Sequence, residues 1–264
     1  MYSNGGVLNG PLPGPTSANG VWSLTEIAAA QRNHIWPTEK DASFANVVVL
    51  MPLDGPAGTE AFTNYGTLTT AVLNADAANR ALLSTAQSKF GIPGVRASLL
   101  NNTSGKVQTG TTGLSGLAFS TGDYTIEFHV YVTSLSAAGN LLDMRPNGTN
   151  GLTALVDVTT GGAIGLWLNS AYRIQSANSV IATSTWYHVA VSKVSGSTKM
   201  FVDGSQVGST YTDSNTYANA ELTLMGGGAG TNRTPGYMQN VRITKGTGRY
   251  SSGFTAPAAP YPLY

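Results

Sequence analysis

The chain contains no cysteine and little charge, and each of these shortages excludes a class of protein. None of its 264 residues is a cysteine, which excludes disulfides, thiolate zinc sites and cysteine nucleophiles. Only 10% of the residues are charged, and the formal net charge is +1. The sequence therefore lacks the basic footprint of a nucleic-acid-binding protein, and nucleic acid is not an expected partner.

Long apolar runs and leader-like segments are also lacking. The longest apolar stretch, Val47–Leu53, contains Pro52 and is much shorter than the ~20 residues of a membrane-spanning helix. The segment MYSNGGVLNG at the start has neither a basic region nor an apolar core, so no signal peptide is predicted. The sequence thus predicts no membrane insertion and gives no support for a secretory route.

Glycine and proline are abundant, with 32 and 12 residues, and they dominate residues 1–20. This composition predicts an extended arm. In residues 21–43, Ser23 and Glu26 form a capping box, which predicts a short helix over about 24–33.

That helix has one narrow apolar face with tryptophans on either side. Leu24 and Ile27 share the face, while Trp22 and Trp36 flank the helix. Trp22 and Ile27 also occupy the positions of a hydrophobic staple. We interpret residues 21–43 as a docking element and linker, with Trp22, Leu24, Ile27 and Trp36 as its anchoring residues.

From residue 44 to residue 264 the sequence predicts one all-β domain. In Ala118–Thr133 a turn precedes strict alternation of apolar and polar residues, and Thr185–Gly208 is typical of two hairpins that share a strand. The Asp203-Gly204 pair predicts a tight turn in the second hairpin. Further strands are predicted at 45–53, 139–144, 153–158, 163–168, 172–176, 221–225 and 237–244. This spacing favours a sandwich or barrel, although residues 71–83 are helical by propensity.

Five phrases in this part of the chain carry a family resemblance. They are STAQSKFG (84–91), STGDYTIEFHVYV (120–132), STWYHVAVSKVSG (184–196), MFVDGSQVGS (200–209) and NVRITKGTGRYSSGFTAPAAPYP (240–262). In this order they resemble the laminin-G-like, concanavalin A-like jelly-roll domains of tailed-bacteriophage virion proteins. GVWSLTEIAAAQRNHIWP near the N-terminus is similar to a segment that accompanies such domains. The resemblance implies a jelly-roll sandwich of two antiparallel sheets, a fold that serves lectins, glycosidases, adhesion modules and structural proteins alike.

No catalytic residues are predicted. Hydrolases of the resembled fold carry an E-x-D-x-x-E pattern on one strand, and none of the 13 acidic residues falls in such a pattern. Glu127 and His129 share one face of a predicted strand and are the nearest approach to an acid–base pair; we interpret them as residues of the sheet face. His34 and His188 have no nucleophile motif nearby and are interpreted as structural or surface residues.

The resemblance also implies a calcium site, which this sequence matches only in part. Relatives use an Asp-Gly turn after the first strand, matched here by Asp54-Gly55, and acidic residues at the last strand, where this chain has Gln239 and Asn240. Asp54 is therefore the single metal candidate, and no other cofactor is predicted. For glycan binding the aromatic candidates are Trp167, Tyr172, Tyr211, Tyr217 and Tyr237, none of which the sequence distinguishes from a packing residue.

The leading functional hypothesis is a non-enzymatic structural protein of a tailed-phage virion, most specifically a capsid decoration or head-fibre protein. Its expected partners are major capsid or tail proteins, bound by the arm, and further copies of itself in a homo-oligomer, and its expected location is the virion. One alternative is a tail-fibre or receptor-binding module that binds host surface glycans. The other is a glycoside hydrolase.

Overall fold

Two antiparallel β-sheets form nearly all of the structure that can be described. A computed structural model describes residues 41–68, 73–75, 81–90, 98–101, 107–108, 114–146, 153–218, 220–227 and 232–263. Within these residues the helical elements are two short 3-10 turns, Phe44–Asn46 and Ser115–Leu117, and no helix there is long and apolar enough to cross a membrane. The predicted arm and the anchoring residues Trp22, Leu24, Ile27 and Trp36 lie outside the described residues, as does His34.

The described part contains sixteen strands. In chain order they are β1 Val47–Met51, β2 Ala61–Phe62, β3 Leu73–Ala75, β4 Leu82–Ser84, β5 Ser98–Asn101, β6 Val107–Gln108, β7 Tyr124–Val132, β8 Gly139–Asp143, β9 Leu155–Val158, β10 Ile164–Leu168, β11 Ala171–Gln175, β12 Trp186–Val194, β13 Ser197–Val202, β14 Ser205–Thr212, β15 Thr223–Leu224 and β16 Gly236–Lys245. The first sheet has the order β14-β13-β12-β7-β16-β5-β4, with β1 also paired to β16, and the second has the order β11-β10-β9-β8-β15-β6-β3-β2. The predicted all-β sandwich of two antiparallel sheets is confirmed.

Alternation along the strands sends one set of side chains into a common core. On β7, Ile126 and Phe128 are fully buried in the core cluster, as are Val156 on β9 and Leu166 on β10 from the other sheet. Because neighbouring residues of a strand face opposite sides, the residues between them lie on the outer faces of the two sheets. Glu127 therefore lies on the outer face of the first sheet, as its strand pattern predicted.

The second hairpin turns where the sequence indicated. Asp203 has φ 48° and Gly204 has φ 79°, the two positive values of the tight turn that connects twisted antiparallel strands. A Cβ atom at Gly204 would lie 1.8 Å from the backbone oxygen of Phe254. Glycine is needed at this position for two reasons: the turn requires a positive φ, and the segment containing Phe254 passes too close to leave room for a side chain.

The helix expected from propensity at 71–83 is wrong in the residues that are described. Leu73–Ala75 and Leu82–Ser84 are strands β3 and β4. Leu73 pairs with Phe62 in the second sheet, and Leu83 pairs with Leu99 in the first. Pairing within the sheets outweighs the weak helical preference of the alanine-rich sequence.

Residues 247–263, here called the C-terminal strap, cross the outer face of the first sheet without forming a strand. The Phe254 N–H donates to the Gly204 oxygen at 3.0 Å, and the Phe254 ring stacks on Tyr250 with centroids 3.6 Å apart. Tyr261 is buried with Val47 and Leu50 in a second, small apolar cluster. The strap thus covers this face, which we call the closed face.

Candidate functional site

Glu127 lies at the centre of the closed face and is fully buried. Its Oε1 accepts hydrogen bonds from Nε and Nη2 of Arg242, each at 2.8 Å. Its Oε2 accepts from the hydroxyls of Tyr250 at 2.8 Å and Tyr261 at 3.0 Å, and lies 3.2 Å from Nε2 of His188. The carboxylate is therefore surrounded by protein donors from β12, β16 and the strap.

These partners keep Glu127 ionised. Burial alone would raise the pKa of the carboxyl, but the charge of Arg242 and the hydrogen bonds from His188 and Arg242 outweigh burial and hold the pKa well below its usual range. The face of the Tyr261 ring also lies 3.8 Å from the guanidinium carbon of Arg242, a cation–π contact. Glu127 is thus an acceptor at the centre of a buried charged network.

The same network holds the chain where it enters the sandwich. Asp41 Oδ2 accepts from Arg242 Nη1 at 2.9 Å and from Arg249 Nη2 at 2.7 Å. Burial acts to raise the pKa of Asp41, but its hydrogen bonds and the two arginines lower it overall. Asp41 therefore joins the start of the described chain to β16 and to the strap.

The structure brings Glu127 and His129 onto one face, as predicted, but gives them different surroundings. Burial, with His188 and Lys89 nearby, lowers the pKa of His129 to about 3. Its ring packs edge-on against Phe90 with centroids 4.8 Å apart, and the backbone of Pro257 in the strap lies near it. His129 is therefore a neutral packing residue beneath the strap.

The region of the calcium candidate is also held by protein groups. Asn240 N–H donates to the Pro52 oxygen at 2.9 Å, which places the turn containing Asp54 beside the last strand, as the resemblance implied. The Gln239 side-chain oxygen accepts from the backbone N–H of Lys89 at 2.9 Å. Within the described ranges no group of three or more His, Asp or Glu residues could hold a metal ion, and Asp54 remains a prediction.

The outer face of the second sheet carries a different set of side chains, which follow from the alternation in three central strands. Asp143 follows core residue Leu142 on β8, Asp157 lies between core residues Val156 and Val158 on β9, and Gly165 and Trp167 flank core residue Leu166 on β10. Antiparallel pairing sets Asp157 opposite Gly165, and Trp167 opposite Tyr172 on the edge strand β11. We call this surface, with Asp143, Arg145, Asp157, Gly165, Trp167 and Tyr172, the open face, because the strap crosses the other sheet.

One ion pair defines the geometry at one end of the open face. Nε of Arg145 donates to Asp143 Oδ1 at 2.9 Å, and Nη2 donates to Oδ2 at 2.9 Å. The backbone N–H of Arg145 adds a third bond to Oδ1 at 2.9 Å. A bidentate pair of this kind is rigid and directional, so Asp143 and Arg145 fix each other's position.

Asp157 and Tyr172 form a second polar contact near the middle of the open face. The Tyr172 hydroxyl donates to Asp157 Oδ2 at 2.5 Å. Burial raises the pKa of Asp157 to about 6, although the Tyr172 hydrogen bond and the charge of Arg145 act in the opposite direction. Asp157 Oδ1 is buried and has no hydrogen-bond partner among the described residues. This carboxyl therefore has an unused acceptor oxygen and is largely shielded from water.

Two aromatic rings lie beside this contact. Trp167 and Tyr172 meet edge to face with centroids 4.8 Å apart, and Tyr172 is 38% exposed. The indole Nε1 of Trp167 is buried without a partner in the described part of the chain. The open face thus combines aromatic surface with polar groups that the described residues do not satisfy.

The open face brings together two of the five aromatic candidates. Tyr217 is buried and donates to Asp213 at 2.6 Å, Tyr211 packs against the core, and Tyr237 lies edge-on to Tyr131 on the first sheet. Asp157 and Gly165 were not among the candidates predicted from the sequence. Alternation in LVDV and IGLWL would have placed both on one face with Trp167, but only the strand pairing shows that they are neighbours.

The fold and the open face together define a lectin-like β-sandwich: two antiparallel sheets with an aromatic and polar patch on one outer surface. The chain belongs to the concanavalin A-like lectin/glucanase superfamily, whose laminin-G-like model matches residues 101–247. This matched region contains the whole open face.

Two sialidase structures show the same fold at low sequence identity. The Trypanosoma rangeli sialidase in complex with sialic acid is 13% identical with a TM-score of 0.55, over 84% of this chain and 36% of that one. Another structure of this sialidase gives 12% identity and a TM-score of 0.54, over 83% and 35%. Domain 4 of a Geobacillus stearothermophilus arabinanase, solved with arabinotriose, is 18% identical with a TM-score of 0.47, over 64% and 76%. This chain thus spans only about a third of the sialidases' length. No curated protein sequence is significantly similar to it.

Proposed function

We propose that the protein is a non-enzymatic virion protein of a tailed phage that binds glycans on its open face. The observation that carries the glycan-binding part is the pair of rings at Trp167 and Tyr172 beside the buried carboxyl of Asp157. Sugar-binding sites need apolar surface for the C–H faces of a sugar and a few placed polar groups for its hydroxyls. The open face offers both.

The closed face is unsuited to glycan binding. The Glu127 carboxylate is enclosed by Arg242, Tyr250 and Tyr261, and a ligand could reach it only if the strap were displaced. Such a displacement would break the hydrogen bonds from the Tyr250 and Tyr261 hydroxyls to the carboxylate, each worth about 1.5–3 kcal/mol. On the open face Asp157 is also buried, at 8% exposure, but the ring beside it, Tyr172, is 38% exposed and lies on an edge strand.

The non-enzymatic part of the proposal rests on the state of the carboxylates. Glycoside hydrolysis in most families uses two carboxyl groups on either side of the scissile bond. On the open face, Asp143 is held by three bonds to Arg145, so it is not free to act as base or nucleophile. Asp157 is then left without a second free carboxylate among the described residues of the patch.

The virion part of the proposal rests on the five matching phrases and on where the chain enters the domain. Asp41 is bonded to Arg242 and Arg249 on the closed face, on the far side of the sandwich from the open face. If residues 1–40 anchor the protein to capsid or tail proteins, the open face points away from the particle. A glycan-binding surface would have to be presented in this direction.

The test is a printed array of bacterial and mammalian oligosaccharides, probed with the purified protein. Trp167→Ala should abolish binding, because it removes the larger of the two rings on the open face. Tyr65→Ala is the matched control, since Tyr65 is 48% exposed and lies in the loop after β2, so this variant should bind like the wild type. Absence of wild-type binding, or equal loss in both variants, contradicts the glycan-binding proposal.

Two further measurements address the other parts of the proposal. Protein lacking residues 1–40 should keep array binding but lose association with phage particles, and retained association would contradict anchoring by the arm. Host envelope polysaccharide incubated with the wild type should stay intact by size-exclusion chromatography. Depolymerisation that Glu127→Gln or Asp157→Asn abolishes would show that the protein is an enzyme.

A further inference from the structure

Asp157 is a carboxyl whose hydrogen bonding is incomplete. It lies on β9, inside the second sheet, and is only 8% exposed. One oxygen accepts from Tyr172, and the other has no partner among the described residues. Buried carboxyls are normally satisfied by several donors, as Glu127 is on the closed face. The unsatisfied oxygen therefore needs an explanation.

Tyr172, the hydrogen-bond partner of Asp157, lies where its side chain can move away from the carboxyl. Tyr172 lies on β11, the edge strand of the second sheet, next to an irregularity in the pairing of β10 with β11. With 38% of its surface exposed, its side chain can rotate outward without crossing the core. Asp157, on an interior strand, cannot move in the same way.

The contacts around Gly165 define the space that the Tyr172 ring would leave if it rotated outward. A Cβ atom built on Gly165 would lie 2.5 Å and 2.7 Å from two carbons of the Tyr172 ring and 2.8 Å from Asp157 Oδ1. The ring therefore rests directly on the backbone of β10, where any larger residue would exclude it. When the ring rotates outward, it leaves a slot with Gly165 as its floor, Trp167 beside it and Asp157 exposed to it.

We propose that Asp157 accepts a hydrogen bond from a hydroxyl group of the bound sugar, and that the Tyr172 hydroxyl occupies this position in the unbound protein. The phenol ring and its hydroxyl have a size and a donor like those of a sugar ring with one hydroxyl. The sugar replaces the Tyr172 bond and can also satisfy the second oxygen of Asp157. The inference rests on the proposed glycan-binding function and names the group that would determine specificity within it.

Replacing Tyr172 by Phe tests the inference because it keeps the ring and removes only the competing hydroxyl. Affinity is measured by titration with the array oligosaccharide that the wild type binds most strongly. A bond to an ionised acceptor competes with the ligand, so Tyr172→Phe should bind about three- to tenfold more tightly. Asp157→Asn should bind at least about tenfold more weakly, and Gly165→Ala, which fills the slot, should not bind. Tyr65→Phe is the matched control and should leave the affinity unchanged.

A second measurement needs no sugar. Protein labelled with 5-fluorotryptophan gives one fluorine NMR signal per tryptophan, and Trp167→Phe assigns the signal of Trp167. Tyr172→Phe should shift or broaden this signal because the ring beside Trp167 is no longer held, whereas Tyr65→Phe should not.

The outcomes separate the inference from the function on which it rests. If the wild type binds sugars and Trp167→Ala abolishes binding, but Tyr172→Phe binds equally or more weakly, the function stands and the inference is overturned. An unchanged Trp167 signal in Tyr172→Phe also overturns it. If the wild type binds no array oligosaccharide, both the inference and the proposed glycan-binding function are contradicted.

Discussion

Replacing Glu127 by Gln tests whether the buried charge network holds the closed face together. Glutamine keeps the size of the side chain but presents an amide donor to groups that are themselves donors. Arg242 then keeps its bond to Asp41 at 2.9 Å, but the charge that its bonds to Glu127 Oε1 neutralise is gone. Removing one partner of a buried ion pair costs about 3–5 kcal/mol, and we expect this loss in the free energy of unfolding at pH 7.

The same substitution should change how stability depends on pH. The pKa of Glu127 is lowered in the folded protein from an ordinary value of 4.5. Its contribution to stability is therefore complete above pH 4.5 and is lost as the pH falls towards the folded pKa. At about 1.4 kcal/mol per pH unit, the difference between wild type and Glu127→Gln should shrink by about 2 kcal/mol between pH 4.5 and pH 3.

Urea unfolding followed by circular dichroism at pH 7, 4.5 and 3 measures both quantities. Glu60→Gln is the control, because it makes the same chemical change at a partly exposed carboxyl and should alter stability by less than about 1 kcal/mol. Equal stability of wild type and Glu127→Gln at pH 7 would refute the role of the charge. A difference that stays constant on acidification would show that packing, and not ionisation, is responsible.

Three further substitutions have defined outcomes in urea unfolding. Gly204→Ala should destabilise the protein by at least about 2 kcal/mol, because alanine is strained at this positive φ and its methyl group also clashes with the Phe254 oxygen. Gly246→Ala is the control: Gly246 has φ 82° but no atom within 4 Å, so this substitution should cost only about 1 kcal/mol. Burial raises the pKa of Asp157 from 3.8 to about 6, so the wild type should lose up to about 3 kcal/mol between pH 4 and pH 7 through this group, and Asp157→Asn should not. Tyr261→Phe removes one hydroxyl donor to a buried carboxylate and should cost about 1.5–3 kcal/mol.

Local patterns in the sequence were sufficient to predict the strands and one turn. Alternation in β7 and β12 distinguished core-facing from outward-facing residues because a strand repeats every two residues. The Asp203-Gly204 turn was predictable because few residue pairs adopt two consecutive positive φ values. The described parts of residues 71–83 were mispredicted because strand pairing with distant segments, which the sequence does not display, decides their conformation.

The role of Glu127 could not be predicted, since its partners are remote in sequence. Arg242, Tyr250 and Tyr261 lie more than a hundred residues further along the chain, and only the course of the strap brings them to β7. Family resemblance indicated that Glu127 belongs to the sheet face, but not that it is fully buried beneath other side chains. The open face was hidden for a related reason, because Asp157, Gly165 and Tyr172 become neighbours only when β9, β10 and β11 pair.

The matched family region contains all of the open face but only part of the closed face. Residues 101–247 include every residue of the open face, whereas Asp41 and most of the strap lie on either side of that region. The closed face is therefore completed by flanking segments, and removing one partner from its charged centre would cost about 3–5 kcal/mol of a total stability that is about 5–15 kcal/mol for a typical domain. Opening that face to admit a ligand would remove a large share of the stability. If the open face binds glycans as proposed, the movement required of the described residues is the outward rotation of the Tyr172 side chain on an edge strand, so ligand exchange there is compatible with a folded sandwich.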